Sequence, residues 1–307
     1  MALPSRFGVL AASVLLVAVG GKPSNASELD LQRVAQRALG PRAGCVVALD
    51  ARNGQLHALV NPRVAAGSAY PVGSLAKLVT GMAALDAGLT DGARRIRCKG
   101  QFERWRCWRV HGEQTFEEAI ANSCSTYFFT IGRELGAPRL NRAFQEAGFG
   151  RKTGSDLADE VTGKRGPIRT LAEVTDLAYG DTPALLATPL QVASWMGAIA
   201  NSGTRYAPHI ASAPPRKIGT LAQKSGLDLV RTGMRRAVLE GSAQGADVPR
   251  FSVHGKTGTA THFNAIERRH GWFAGFAEHR VVVVFVREGN GYEDAAPIAR
   301  EVFDAWQ

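Results

Sequence analysis

Ser74 and Lys77 stand three positions apart in Tyr70-Pro-Val-Gly-Ser-Leu-Ala-Lys-Leu-Val-Thr80. Pro71 and Gly73 punctuate a turn, and the apolar residues Leu75, Leu78, Val79, Met82, Ala83 and Leu85 follow. This pattern predicts a helix from near Ser74 to near Gly88, with Ser74 and Lys77 on one face. The run has almost no polar face, so the helix is expected to be buried. A serine hydroxyl is a poor nucleophile unless a neighbour takes its proton, and an ammonium can do so only after losing its own. Burial and the positive end of a helix both disfavour a charged lysine, which pushes in the useful direction. A Ser-x-x-Lys arises by chance roughly once in a chain of this length, so the reading depends on what else the chain holds.

Two further stretches could supply it. Lys256-Thr257-Gly258-Thr259 lies on a β-like segment, where a glycine lets another backbone approach closely, as an extended ligand requires. Lys256 and Thr257 suit a carboxylate, and a following amide suits an oxyanion. In Asn122-Ser-Cys-Ser-Thr126, hydroxyls interrupt an otherwise apolar helical segment. Buried polar groups need partners, so Ser123 or Ser125 is expected to face Lys77.

The elements that must position these groups read in order. Leu29 to Leu39 has helical spacing, and Gly44–Asp50 and Gln55–Val60 are strand patterns joined at Asn53-Gly54, a hairpin cue. Residues 92–113 form an arginine-rich loop with Trp105 and Trp108. Thr115 and Glu118 make a capping box before an apolar helical segment to about Leu135, and another helix spans Ala137 to Ala147. Residues 148–170 read as loop. Further helices begin at Thr188-Pro-Leu-Gln, stopping at Asn201-Ser-Gly203, and run from Leu227 to Glu240. Three β-like segments, Phe251–Ala260, Gly271–Ala277 and Arg280–Val286, precede a helix from Ala296 to Trp306. Strands at both ends around a block of helices predict an α/β fold: an antiparallel sheet flanked by helices, with N- and C-terminal elements sharing it, plus an all-helical subdomain over roughly 89–225.

Forty-five per cent of the 307 residues are hydrophobic, ample for a core and inconsistent with disorder. Arg6, an apolar run to Val19 and small residues at Ser24 and Ala26 predict a cleaved export signal over 1–26, leaving 27–307 as one periplasmic or extracytoplasmic unit, with an uncleaved inner-membrane anchor as the alternative. Export permits disulfides, and Cys98 with Cys107, bracketing the basic loop, is the expected pair. Cys45 and Cys124 sit in apolar patterns as small hydrophobes. No CxxC or Cys/His spacing suggests zinc, so neither metal nor cofactor is expected. The formal charge of +10 fits an anionic envelope polymer, met through Arg94, Arg95, Arg104, Arg106 and Arg109, better than nucleic acid, which an exported protein rarely meets.

Ser-x-x-Lys, a central serine motif and Lys-Thr-Gly, in this order, resemble the penicillin-recognising acyl-serine transferases. The chain is most similar to the transpeptidase domain of class B penicillin-binding proteins. Supporting stretches are Cys107-Trp108 with His111-Gly112, Ala187-Thr-Pro-Leu-Gln-Val192 with Ala200-Asn-Ser-Gly203, His254-Gly-Lys-Thr-Gly-Thr-Ala260, Trp272-Phe-Ala-Gly-Phe276 and Ala296-Pro-Ile-Ala299. The resemblance implies a β-lactamase/transpeptidase-like fold and D,D-transpeptidase action on peptidoglycan stem peptides ending in D-Ala-D-Ala, with β-lactams as covalent inhibitors. It implies Ser74 as the acylated nucleophile, Lys77 as its proton acceptor and Ser123 as a relay to the leaving amine. Lys256 and Thr257 would hold the substrate carboxylate, with Ser125 and Gly258 beside the substrate and the amides of Ser74 and Thr259 forming the oxyanion hole. The chain departs from the family pattern at Ser125, usually Asn, and at Val72, where a second Pro is common. No stretch matches the large non-catalytic N-terminal region of class B members, so the resemblance does not extend to a membrane-bound wall-elongation complex.

Two competing readings follow from the same residues. A class D-like serine β-lactamase shares the fold, and Tyr179-Gly180-Asp181 is similar to that group's Tyr-Gly-Asn. A non-catalytic wall-binding or β-lactam-sensing module would use the same groove, but retention of Ser74, Lys77 and Lys256 argues against it. No other protein partner is read from the sequence.

Overall fold

The computed structural model describes residues 26–221, 226–261 and 268–306. Apart from Ala26, the expected leader lies outside them. Helix α1 (Ala26–Leu39) leads into strands β1 (Gly44–Asp50) and β2 (Leu56–Val60), and the turn at Asn53-Gly54 closes with the Gly54 amide on the Asp50 carbonyl at 2.8 Å. Helices α2 (Ala76–Asp86), α3 (Phe116–Ala121), α4 (Ser125–Glu146), α5 (Leu171–Tyr179), α6 (Pro189–Ala200) and α7 (Leu227–Leu239) follow. Strands β3 (His254–Thr261), β4 (Arg269–Ala277) and β5 (Arg280–Val286) and helix α8 (Ala296–Ala305) complete the chain.

The five strands form one antiparallel sheet in the order β3-β4-β5-β1-β2, so the first hairpin docks on the last strand, as the pattern predicted. Val47 lies opposite Val283 across that seam. The unbroken run Val281–Val286 has a simple cause: both faces of the sheet are covered. Val281, Val283 and Phe285 join Cys45, Val47 and Leu49 in the core shared with α2 and α6. Val282, Val284 and Val286 join Val46 and Ala48 in a second core, closed by Leu31 and Ala35 of α1 and Ile298, Val302 and Phe303 of α8.

The expected helix over Thr115–Leu135 divides. The Thr115/Glu118 capping box is present, but α3 ends at Ala121, and Ser123 adopts a left-handed φ of 51° before α4 starts at Ser125. A non-glycine residue there costs roughly 1 kcal/mol, which the partners of Asn122–Ser125 must offset. Gly136, at φ 72°, kinks α4 where the sequence predicted two helices. Helix α5 begins just beyond the stretch read as loop, where the sequence reading assigned no element, although Thr170 and Glu173 form a capping box at its start. No helix among the described residues is long and apolar enough to cross a membrane.

Candidate active site

Residues Tyr70–Pro71 pair with Leu186–Ala187, and the chain then tightens into a 3-10 turn, Gly73–Leu75, that runs into α2. Ser74 sits in that turn and Lys77 in the first turn of the helix. The Trp272 indole N–H of β4 donates to the Pro71 carbonyl at 2.8 Å, which ties the turn to the sheet. From the other side comes Gly180, the left-handed cap of α5. A Cβ there would stand 2.0 Å from the Gly73 carbonyl oxygen, so only glycine allows this approach. Asp181, the next residue, accepts from the Thr261 amide at 3.1 Å and hydroxyl at 2.8 Å, joining the end of α5 to β3.

The break between α3 and α4 faces Lys77. The Lys77 ammonium nitrogen donates to the Ser123 carbonyl at 2.8 Å and to Ser125 Oγ at 3.0 Å, and lies 3.3 Å from Ser123 Oγ. Both serines therefore meet the lysine, as their burial required. They do so because the helix stops at Asn122, which frees the Ser123 carbonyl for a side-chain partner. Lys256 reaches the same point: its Nζ donates to Ser123 Oγ at 2.8 Å and to the Thr257 carbonyl at 3.0 Å. One hydroxyl thus bridges two buried lysines. Among the described residues no hydrogen bond joins Lys77 to Ser74, which faces the groove one turn away; such bonds are commonly loose before a substrate is held.

Strand β3 is the sheet edge that borders the groove. Thr257 and Thr259 line it, two residues apart on one side of the strand, while Lys256 is 0% exposed rather than a surface lysine. Gly258 has a different cause from the one expected. A Cβ there would lie 2.8 Å from the Val72 carbonyl oxygen, so the close-approaching backbone is the chain's own, at the start of the Gly73–Leu75 turn.

Burial sets the charge state. Lys77 is wholly buried, and loss of hydration pulls its pKa down to about 8 despite nearby cysteine sulfurs that act in the opposite sense. Lys256 is held well below the usual lysine range by its own burial and then by Lys77 beside it. The arrangement can therefore offer an uncharged amine to a hydroxyl at a pH where free lysine is charged.

Ser74, Lys77, Ser123, Ser125, Thr257 and Thr259 all line one groove of about 810 Å³. Sequence reasoning missed several of its other walls: Arg269, Glu240, Gln244 and Tyr292 come from elements carrying no recognisable motif. Of the loop arginines, Arg106 and Arg109 line the groove, whereas Arg94 makes a paired bond with Glu134 at 2.7 and 2.8 Å.

The expected Cys98–Cys107 disulfide is corrected: all four cysteines are free thiols. The loop is closed instead by short pairings, Ile96–Cys98 with Gly112–Gln114 and Gln101–Phe102 with Trp105–Arg106. Both sulfurs turn towards His111 Nδ1, at 3.5 Å from Cys98 and 3.4 Å from Cys107. Cys124, expected as an isolated small hydrophobe, joins them, and the four potential ligand atoms lie within 4.8 Å of one another. The fold gathers Cys and His donors whose spacing in the sequence suggested no metal.

Comparison with known proteins matches residues 44–304 to the penicillin binding protein transpeptidase domain. The peptidoglycan D,D-transpeptidase MrdA of Acinetobacter baumannii is 29% identical over 90% of this chain and 52% of its own length. Stage V sporulation protein D of Bacillus subtilis is 33% identical over 63% of this chain and 33% of its own length. The chain thus spans about half or less of these curated relatives. Among solved structures, Pseudomonas aeruginosa PBP2, in complex with WCK 5153, superposes with a TM-score of 0.79 at 28% identity, covering 90% of this chain and 76% of that one. With the family match running from the first strand of the sheet into the final helix, this chain belongs to the penicillin binding protein transpeptidase domain family.

Proposed function

We propose that the chain is a serine D,D-transpeptidase that acts on peptidoglycan stem peptides ending in D-Ala-D-Ala and is acylated by β-lactams. The observation that carries the reading is the Ser123 hydroxyl, bonded to Lys256 and within 3.3 Å of Lys77, in the groove that Ser74 lines. The substrate's terminal carboxylate would lie against Lys256 and Thr257. An anion there favours the charged form of Lys256, and a charged Lys256 disfavours charge on Lys77. Carboxylate binding therefore primes the base.

Neutral Lys77 takes the proton of Ser74 Oγ as that oxygen attacks the penultimate D-Ala carbonyl. The tetrahedral oxyanion is held by the amides of Ser74 and Thr259. As the C–N bond breaks, Ser123 passes its proton to the leaving D-Ala amine and recovers one from Lys77, leaving an ester on Ser74. An amine of a neighbouring stem then attacks the ester and regenerates Ser74; water in its place gives carboxypeptidation. Ser125, bonded to Lys77, positions the base in this scheme and leaves the substrate amide without the contact an Asn would make.

The catalytic unit proposed is 27–307, with the helices between about 89 and 225 forming one wall of the groove and the sheet edge the other. Its substrate places it outside the cytoplasm, reached through the leader at 1–26, where Arg106 and Arg109 meet anionic wall polymer. Fluorescent penicillin followed by a denaturing gel tests the reading. A stable covalent band that disappears in Ser74→Ala is expected. No band, or one that survives Ser74→Ala, refutes it. A band that fades within seconds favours the β-lactamase, the reading to which Asp181 in the groove and Ser125 lend some weight.

A further inference from the structure

We infer that Cys98, Cys107, His111 and Cys124 form a zinc site that fastens the arginine-rich loop to the start of helix α4. Three sulfurs and one imidazole nitrogen converge within 4.8 Å, with the three cysteines buried and His111 half-buried. Tetrahedral zinc takes sulfur at about 2.3 Å and imidazole nitrogen at about 2.0 Å, which sets the sulfur–nitrogen edge at about 3.5 Å. The distances from His111 Nδ1 to the Cys98 and Cys107 sulfurs, 3.5 and 3.4 Å, match that edge. Three thiols and a histidine are a closed structural donor set, with no position left for a substrate.

A disulfide explains the cluster less well, since it would use two sulfurs and leave a thiol and an imidazole facing it. The surroundings suit thiolates. The Ser125 amide donates to Cys107 Sγ at 3.1 Å, and the Thr126 hydroxyl lies 3.3 Å from Cys98 Sγ. Such outer contacts orient ligating sulfur. Cys45 lies elsewhere, in β1 opposite Phe285, and serves as an internal control.

The loop over 92–113 contributes little to the core. Cys98 ends the strand Ile96–Cys98, Cys107 and His111 flank the loop's exposed Trp108, and Cys124 is the residue before α4. A metal there would hold the left-handed Ser123 turn, and with it the Ser123 and Ser125 hydroxyls, against Lys77. Its role is positioning, and it stands or falls independently of the substrate proposed above.

The test is metal content. Full chain purified under reducing conditions without chelator or metal-affinity resin is expected to carry about one zinc per molecule. After removal of that zinc, cobalt(II) should restore one equivalent, with the visible bands and sulfur-to-cobalt charge transfer of a tetrahedral thiolate site. Cys98→Ser and Cys124→Ser should lose the tight equivalent, and Cys45→Ser should keep it. Thermal unfolding of wild type should shift down on metal removal and recover on zinc addition, which keeps the test valid if a cysteine variant folds poorly. Protein that neither carries nor takes up metal, a disulfide between any two of the three cysteines in the isolated protein, or equal loss of metal in Cys45→Ser would each overturn the proposal.

Discussion

Lys77 should make acylation depend on pH in a way that its burial dictates. With a pKa of about 8, roughly a tenth of the enzyme holds a neutral base at pH 7 and roughly nine-tenths at pH 9. The second-order rate constant for acylation by a fluorescent penicillin should therefore rise about tenfold between those values and level off above. Arginine cannot serve as the base, because its guanidinium keeps its proton, so Lys77→Arg should lose the limb along with at least about 100-fold in rate. The same burial has a stability consequence. An unfolded lysine titrates near 10.4, so between about 8 and 10.4 the unfolded chain binds more protons and stability rises with pH. The cost carried at pH 7 is about 3 kcal/mol, part of which the bonds to Ser123 and Ser125 offset. Lys77→Met should accordingly show a flatter stability–pH curve than wild type over that window in urea titrations. A rate constant that is flat from pH 6 to 9, or a Lys77→Arg variant within fivefold of wild type, would refute the assignment of Lys77 as a neutral base.

Other perturbations have equally definite outcomes. Ser74→Ala should abolish covalent labelling and leave the melting temperature unchanged, since Ser74 opens onto the groove; a surviving label would move the nucleophile elsewhere. Gly180→Ala should destabilise by about 2 kcal/mol or more, because its φ is 89° and the new methyl meets the Gly73 carbonyl. It should also slow acylation, and a neutral result in denaturant titration would contradict the packing described. Thr188→Ala removes the hydroxyl that accepts from the Gln191 amide at 3.0 Å. It should cost about 1 kcal/mol by the same measurement, without changing the labelling rate per folded molecule.

Local rules were enough wherever a residue's environment follows from its neighbours in the chain. The hairpin at Asn53-Gly54, the capping boxes at Thr115 and Thr188, the buried helix carrying Lys77 and the twice-covered strand Val281–Val286 all obey turn chemistry or hydrophobic periodicity. Ser74, Lys77, Ser123 and Lys256 were legible because their residue types and order are unusual; the structure brings the first three to one groove, with Lys256 buried behind Ser123 and bonded to it. Tertiary packing decided the rest. Helix α3 breaks at Ser123 because the carbonyl it frees has a partner 46 residues upstream, in Lys77. Gly258 is required by the Val72 carbonyl packed against it, and Gly180 by Gly73. Cys98, Cys107, His111 and Cys124 meet only because a short hairpin folds back onto the start of α4. A sequence carries the periodicity and propensity of each segment, but which distant carbonyl, thiol or amine completes a buried group is settled by packing between segments.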